Sequence, residues 1–295
     1  RIQRLDKDNF WEMGETGPCG PSSELFYDYG PAVGPEGGPA NPAAENRYVE
    51  LWNLVFPQFL RGADGKLSDL PRKAIDTGAG LERIMAVLAD SPSLYAADTL
   101  TALVDEAQAV TGQKLGRSEL GDIALRLMAD HARTMAFLVA DGVIPSNEDR
   151  GYVLRRVVRR AIRFAYLLGV DKPVLSPLLA RTVDLMGDAY PTVREQHAFV
   201  DEILSREEVA FRRTLATGSQ ILDAQLEQLA EGDTLAGSVA FQLHDTYGFP
   251  IDLTLEMAAE QGLEVDEEGF RSLMEEQRQR AKADAAARKS GHGDL

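Results

Sequence analysis

Asp76-Thr77-Gly78-Ala79-Gly80-Leu81-Glu82-Arg83-Ile84 is the stretch that decides how this chain is read. Apolar Ile75 leads into an acid, two glycines spaced by one residue follow, and Leu-Glu-Arg then opens a run that reads as a helix. Gly78 and Gly80 carry no Cβ, so the backbone can approach a ligand there more closely than any other residue allows. Arg83 lies about one helical turn beyond Gly80, with a planar, permanently charged head suited to phosphate or to stacking on a flat base. Asp76, read as the end of a preceding strand, offers a fixed negative charge to an ammonium group. An acid for an amine and an arginine for a nucleotide point to a site that activates an amino acid with ATP. The plainer reading is a tight structural turn, because Gly-rich strand-to-helix connections are common.

The chain has 295 residues, 44% hydrophobic and 26% charged, which is ordinary for a globular protein and suggests about two domains. No apolar run approaches the ~20 residues needed to span a bilayer. There is no signal-peptide pattern and the first residue is Arg1, so the expectation is a piece of a longer, cytoplasmic protein. A single cysteine, Cys19, rules out an internal disulfide and is consistent with a reducing compartment. Four scattered histidines without paired His/Cys spacing argue against a structural zinc site.

A net charge of −16 argues at first sight against a nucleic-acid partner, but distribution matters more than the sum. Eight arginines (126, 133, 150, 155, 156, 159, 160 and 163) lie between Arg126 and Arg163, against four acids (Asp130, Asp141, Glu148, Asp149), so this window is locally +4. At 100° per residue, Arg155, Arg156, Arg159, Arg160 and Arg163 fall within an arc of about 140° on a helix from Gly151 to Leu168. Apolar residues fill the rest of that helix. The basic stripe suits a phosphate backbone; alternatively, it pairs with the chain's surplus acids.

Residues 1 to about 92 are rich in Gly, Pro and aromatics. Tyr48 to Leu60 reads as one strand, followed by a turn at Asp64-Gly65 and a second strand near Lys73 to Asp76. Thr16 to Pro21 reads as a rigid loop, and Pro31 to Pro42 as an exposed one. Apolar spacing predicts helices over 96–110, 119–140, 150–168, 194–215, 219–230 and 267–287. The tail that ends in RKSGHGDL reads as a fraying end or linker.

Four further motifs surround the glycine turn. They are DNFWEMGETGPCGPSSE (Asp8 to Glu24), YVELWNLVFPQF (Tyr48 to Phe59), IPSNEDRGYVLRRVVRRAIR (Ile144 to Arg163) and LHDTYGFPIDLT (Leu243 to Thr254). Together they resemble the alanyl-tRNA synthetase family over almost the whole chain, and DTGAGLER looks like motif 3 of the class II aminoacyl-tRNA synthetases. The resemblance implies an α+β fold. Residues 1–92 would be the C-terminal part of an antiparallel class II aminoacylation domain, and residues 93–295 an all-α tRNA-recognition domain. It also implies a ligase that activates alanine with ATP to alanyl-adenylate and passes it to the 3′ end of alanine tRNA.

On the resemblance, Asp76 binds the α-ammonium of alanine and Gly78 leaves room beside it. Trp11 and Val55 wall the methyl pocket, with ordinary core packing as the plainer alternative for each. Asn53 hydrogen-bonds the substrate carboxylate, and a buried amide does need partners. Arg83, with Gly80 before it, meets ATP; otherwise it pairs with Glu82 or Asp90. Glu50 holds Mg²⁺, whose hard character suits carboxylate oxygen. Asn147 and Asp245 match the positions that read the acceptor-stem G·U pair, an acceptor amide and a carboxylate facing a base-edge amino group. Arg150, Arg155, Arg156, Arg159, Arg160 and Arg163 would meet the RNA backbone. Ser146 to Asp149 also reads as a helix N-cap, and Asp245 to Gly248 as a turn.

The family's motifs 1 and 2 precede the sequence given, so the stretch alone is expected to be inactive. Zinc would belong only to an editing module elsewhere in the parent, which an alanine pocket needs because it rejects glycine and serine poorly. Two rival readings stand beside this one: a non-catalytic tRNA-binding or regulatory paralogue, and an unrelated ATP-binding enzyme that uses the glycine turn alone.

Overall fold

A computed structural model describes residues 2–230 and 232–290, with side chains through residue 280. The backbone forms two compact units, Arg1–Ala109 with Lys114–Asp130, and Val110–Gln113 with His131–Leu295. The division expected at residue 92 falls within the first of these units.

The first unit carries an antiparallel sheet of β1 (Phe10–Glu12), β2 (Gly17–Asp28), β3 (Tyr48–Val55), β4 (Phe59–Arg61), β5 (Leu67–Asp69) and β6 (Asp76–Ala79). The strands run in the order β5-β4-β2-β3-β6, with β1 on the outer side of β2. The antiparallel α+β architecture expected from the resemblance is present. Three local expectations need correction. The stretch Thr16 to Pro21, read as a loop, opens the longest strand. Pro21 has no N–H to give, but it faces only the three-residue β1, and its carbonyl accepts the Phe56 amide at 2.9 Å. Tyr48 to Leu60 is two strands, because Phe56-Pro57 leaves the ladder opposite Gly20. Phe56 O lies 2.1 Å from where a Gly20 Cβ would sit, so only glycine fits there. Asp76 opens β6 rather than closing a strand, and Lys73 to Ile75 is irregular.

The Pro31–Pro42 loop is anchored rather than free. Arg47, 3% exposed, donates to both oxygens of Asp28 at 2.6 and 3.0 Å, to Glu36 at 2.9 Å and to Gly34 O at 3.2 Å. A fixed guanidinium fork of this kind holds a loop that lacks regular backbone pairing.

Helices follow: α1 (Leu81–Leu88), α2 (Asp98–Thr111), α3 (Glu119–Ala140), α4 (Asp149–Leu167), α5 (Leu175–Met186), α6 (Pro191–Glu195), α7 (His197–Leu226), α8 (Gly237–Tyr247), α9 (Ile251–Glu260) and α10 (Glu267–Ser290). α2, α3, α4 and α10 match the apolar spacing closely. The predicted pair 194–215 and 219–230 is instead one long helix, α7, after the short α6. Gly218, where the spacing broke, lies inside α7 because the Phe249 ring packs against it; a Cβ there would meet Phe249 Cδ2 at 2.1 Å. α5, α8 and α9 are not predicted by the apolar spacing, since at 12, 11 and 10 residues each offers only a short buried stripe. The helical unit is not purely α: β7 (Thr234–Leu235) and β8 (Glu264–Val265) form a small parallel pair. Of the tail read as a fraying end, Arg288 to Ser290 continues α10, and Gly291 to Leu295 lies outside the described residues. Among the described residues no helix is long and apolar enough to cross a membrane.

The helical unit closes around α4 and α7. Leu154, Val158, Ala161, Ile162 and Ala165 give α4 a fully buried stripe, and Leu204, Phe211, Leu215 and Leu222 do the same for α7. Glu208 of α7 is 1% exposed. Its two oxygens accept the Val174 and Leu175 amides at 2.9 and 3.0 Å, so it caps the start of α5 from another helix. Arg212 neutralises it at 2.9 Å and donates onward to Val170 O and Lys172 O.

Candidate functional site

Directly opposed residues in an antiparallel ladder share a face. β3 pairs with β6 as Asn53↔Gly78 and Val55↔Asp76, and with β2 as Asn53↔Glu24 and Val55↔Ser22. One face therefore carries Ser22, Glu24, Asn53, Val55, Gly78 and Asp76. Glu50, three residues before Asn53, belongs on the opposite face of a regular strand. A bulge changes that: Leu25 faces Trp52 but Phe26 faces Glu50, so Leu51 is the extra residue and Glu50 joins the Asn53 face.

Hydrogen bonds tie this face together. Asn53 Oδ1 accepts the Gly78 amide at 3.1 Å, which leaves Nδ2 as the group it can present, apart from a long 3.4 Å contact to Glu50 Oε1. A Cβ at Gly78 would stand 3.5 Å from Asn53 Oδ1, an ordinary contact, so the fold itself does not demand glycine there. Gly80 is different. A Cβ there would meet Arg83 Cδ at 3.0 Å, because the Arg83 side chain folds back over the start of α1. It donates to Glu50 O at 2.9 Å and lies 3.6 Å from the Glu50 carboxylate. Half-exposed as it is, the pair leaves Arg83 open to a ligand. The Asp76 carboxylate is exposed and makes no hydrogen bond or ion pair among the described residues.

Burial first, then the charges of Glu50 and Asp8, hold the Glu24 carboxyl above its usual range. Strict alternation along β2 is the sequence signal that places Glu24 on this face, opposite Asn53. On the reverse face, the Trp52 indole donates to Thr77 Oγ1, and that hydroxyl donates to Asn53 O at 2.7 Å. This relay locks β6 to β3 behind the site.

Trp11 and Val55 are not brought together in the same way. Val55 is 5% exposed, as a packed core residue is, while Trp11 is 39% exposed. Trp11 faces Gly20 on β1, at the far side of β2 from β3. It shares the face but not the cluster.

In the helical unit, Asn147 and Asp245 line one cavity of about 1210 Å³, together with Tyr152, Arg155, Arg156, Arg159 and Arg160. Asn147 is not the helix N-cap; Glu148 holds that position and makes no side-chain cap. Asp245 lies in the last turn of α8, which Gly248 ends in the left-handed conformation (φ 65°), so the turn begins only after it. Both reading groups are held. Arg155 donates to Asn147 Oδ1, and Gln277 donates to Asp245 Oδ1. An arginine can only donate, so the Asn147 oxygen faces it, which uses one of that oxygen's two lone pairs and turns Nδ2 away from the guanidinium.

The arginine stripe divides. Arg150, Arg156 and Arg160 are exposed. Arg155 and Arg159 share Glu207, at 3.4 and 2.7 Å, and burial pushes the Arg159 guanidinium below its usual range. Arg163, expected on the RNA-facing stripe, is 1% exposed and bound to Glu260 at 2.7 Å and Glu256 at 3.4 Å. The surplus acids claimed it, so it is a structural residue. His244 borders the same cavity, stacked edge-on against Phe270. Burial lowers its basicity, partly offset by Asp245.

The model of the family described as tRNA synthetases class II (A) matches residues 1–294. The chain is 53% identical to the alanine–tRNA ligase of Mycolicibacterium smegmatis over 305 aligned residues, 51% to that of Streptomyces avermitilis and 52% to that of Frankia alni. Each alignment covers 100% of this chain and 34% of the relative, so the chain spans about a third of the length of these proteins. With 294 matched positions and half of its residues shared with these ligases, the chain belongs to the class II (A) tRNA synthetase family.

Proposed function

We propose that this chain belongs to an alanine–tRNA ligase: the sheet unit takes part in forming alanyl-adenylate from alanine and ATP, and the helical unit recognises the acceptor stem of alanine tRNA. The observation that carries the reading is the Asn53–Gly78–Glu50–Arg83 cluster, with the unpaired Asp76 carboxylate on the same face. Asp76 meets the ammonium of alanine. Asn53, its oxygen occupied by Gly78, turns Nδ2 to the substrate carboxylate, and Arg83 meets ATP. A carboxylate oxygen of alanine attacks the α-phosphorus and pyrophosphate leaves; a terminal ribose hydroxyl of the tRNA then attacks the acyl carbon and AMP leaves. Such transfers depend on alignment and charge neutralisation rather than on a protein nucleophile.

Mg²⁺ usually takes one or two protein carboxylates and completes its shell with phosphate oxygens and water. Glu50, with Glu24 beside it, fits that donor set, and a cation would offset the burial and, after it, the Glu50 charge that raise the Glu24 carboxyl. When bound, the ion supplies charge neutralisation at the phosphates. Acceptor-stem reading falls to Asn147 and Asp245, with Arg150, Arg156 and Arg160 at the phosphates. We put the functional division between amino-acid activation and tRNA recognition near residue 92, after the last strand of the antiparallel sheet and α1, and the protein works in the cytoplasm, where tRNA is charged.

The test is alanine-dependent ATP–pyrophosphate exchange and charging of alanine tRNA by the full-length protein. Activity with alanine and a tRNA bearing the G·U pair is expected. Absence of both, or activation of a different amino acid, overturns the reading.

A further inference from the structure

The arginines around Asn147 are themselves held by an acid that no motif marked. Glu207 projects from α7, 48 positions after Arg159 in sequence, and its side chain is only 12% exposed. Its Oε1 accepts from Arg159 Nε at 2.7 Å and lies 3.4 Å from Arg155 Nε. Arg159 is further fixed by the Phe211 ring, 4.8 Å from the guanidinium carbon. Arg155, steered by Glu207 at one end of its fork, donates at the other end to Asn147 Oδ1 and, at 3.2 Å, to Pro145 O. The Glu148 side chain makes no cap bond and the Ser146 hydroxyl is engaged with the Glu148 backbone, so Arg155 is the partner that orients the Asn147 carboxamide among the described residues.

We propose that Glu207 is a positioning residue for acceptor-stem recognition, acting through Arg155 on Asn147. This rests on the reading of Asn147 given above. Glu207 holds Arg159 by a short charge-assisted bond, and its charge draws the buried Arg155 Nε, which has no hydrogen-bond partner of its own, to within 3.4 Å of the same oxygen. With Arg155 fixed, the Asn147 oxygen is committed inward and Nδ2, which makes no hydrogen bond among the described residues, is the group offered to RNA. Asn147 then reads an acceptor, while Asp245, its Oδ1 engaged by Gln277, can only accept. A donor and an acceptor side by side distinguish base-pair edges in a shallow A-form minor groove, where an amide free to flip would present either. Without Glu207, Arg155 is free to swing, the amide regains both orientations, and discrimination falls.

The experiment is a double-mutant cycle in the full-length protein. The ratio of kcat/KM for alanine tRNA carrying G·U to that for the same tRNA carrying G·C is measured in wild type, Glu207→Ala, Asn147→Ala and the double variant, each normalised to its own rate of adenylate formation. Glu207→Gln, which keeps the size and one acceptor, is included in case the alanine variant does not fold. Glu207→Ala is expected to lower the ratio about tenfold or more, the equivalent of one lost charge-assisted hydrogen bond. Glu207→Gln should lower it less, and the double variant should be no worse than Asn147→Ala alone. Additive effects, or an unchanged ratio in both Glu207 variants beside a loss in Asn147→Ala, overturn the positioning role and leave the acceptor-stem reading standing. An unchanged ratio in Asn147→Ala overturns that reading and the inference with it.

Discussion

Asn53 and Gly78 face each other across β3 and β6, and the side-chain oxygen of one accepts the backbone amide of the other at 3.1 Å. A side chain thus holds the glycine strand in place and at the same time has its own amide oriented by it. Replacing Asn53 with Ala removes the acceptor from the Gly78 amide and the donor from the substrate carboxylate. We expect KM for alanine to rise roughly ten- to a hundredfold, one or two hydrogen bonds to a charged group, with a much smaller change for ATP. Equal losses for both substrates in pyrophosphate exchange would contradict the assignment.

The two glycines beside the C-terminal end of β3 should behave differently. Gly20→Ala places a Cβ 2.1 Å from Phe56 O, a backbone atom that cannot step aside, and is expected to cost about 2–4 kcal/mol of stability. Gly78→Ala meets Asn53 Oδ1 only at 3.5 Å and should melt close to wild type, within about 1 kcal/mol, while losing most alanine-dependent exchange. Thermal melts alongside pyrophosphate exchange separate the two outcomes.

Arg163 and Arg156 lie seven residues apart on α4 and should fail in different ways. Arg163→Ala removes a buried, doubly paired guanidinium and is expected to lower unfolding stability by about 2 kcal/mol, read by denaturant titration. Arg156→Ala should leave stability nearly unchanged, weaken tRNA binding severalfold and make the salt dependence shallower by about one counterion. An unchanged salt slope would remove Arg156 from the RNA contact.

His244 gives a pH signature. Burial lowers its pKa from the usual 6.5, so the unfolded chain takes up the proton first. Stability therefore rises with pH through the window between the lowered folded value and 6.5, and falls as the solution is acidified below 6.5. His244→Gln should flatten this part of the stability–pH curve, as measured by melts from pH 5 to pH 8; an unaltered slope would show that the ring titrates as it does in the unfolded chain.

The glycine turn, the strand bearing Asn53 and the arginine helix were legible because each is a local pattern. The face shared by Asn53, Gly78 and Asp76 follows from strand alternation once the pairing is known. Glu50 joins that face through a bulge that no local pattern announces. Arg163 was misread for a related reason: a helical wheel gives the direction of a side chain but not what packs there, and α9 brings Glu256 and Glu260 from far along the sequence. The strand from Gly17 was hidden by prolines and glycines whose local preference is for turns, and a short edge partner tolerates them. Glu207 was invisible on its own, since an acid in an acidic helix acquires meaning only from the arginines it meets.

The central claim is that Asp76, Asn53 and Arg83 serve one ligand, and a non-hydrolysable sulfamoyl analogue of alanyl-adenylate tests it most directly. Calorimetric titration of the full-length protein should give tight binding. Asp76→Asn, which keeps the shape and removes the charge that meets the ammonium, should weaken it about a hundredfold, and the desamino form of the analogue should bind both proteins alike. Equal affinity of wild type and Asp76→Asn for the amino form would contradict the account.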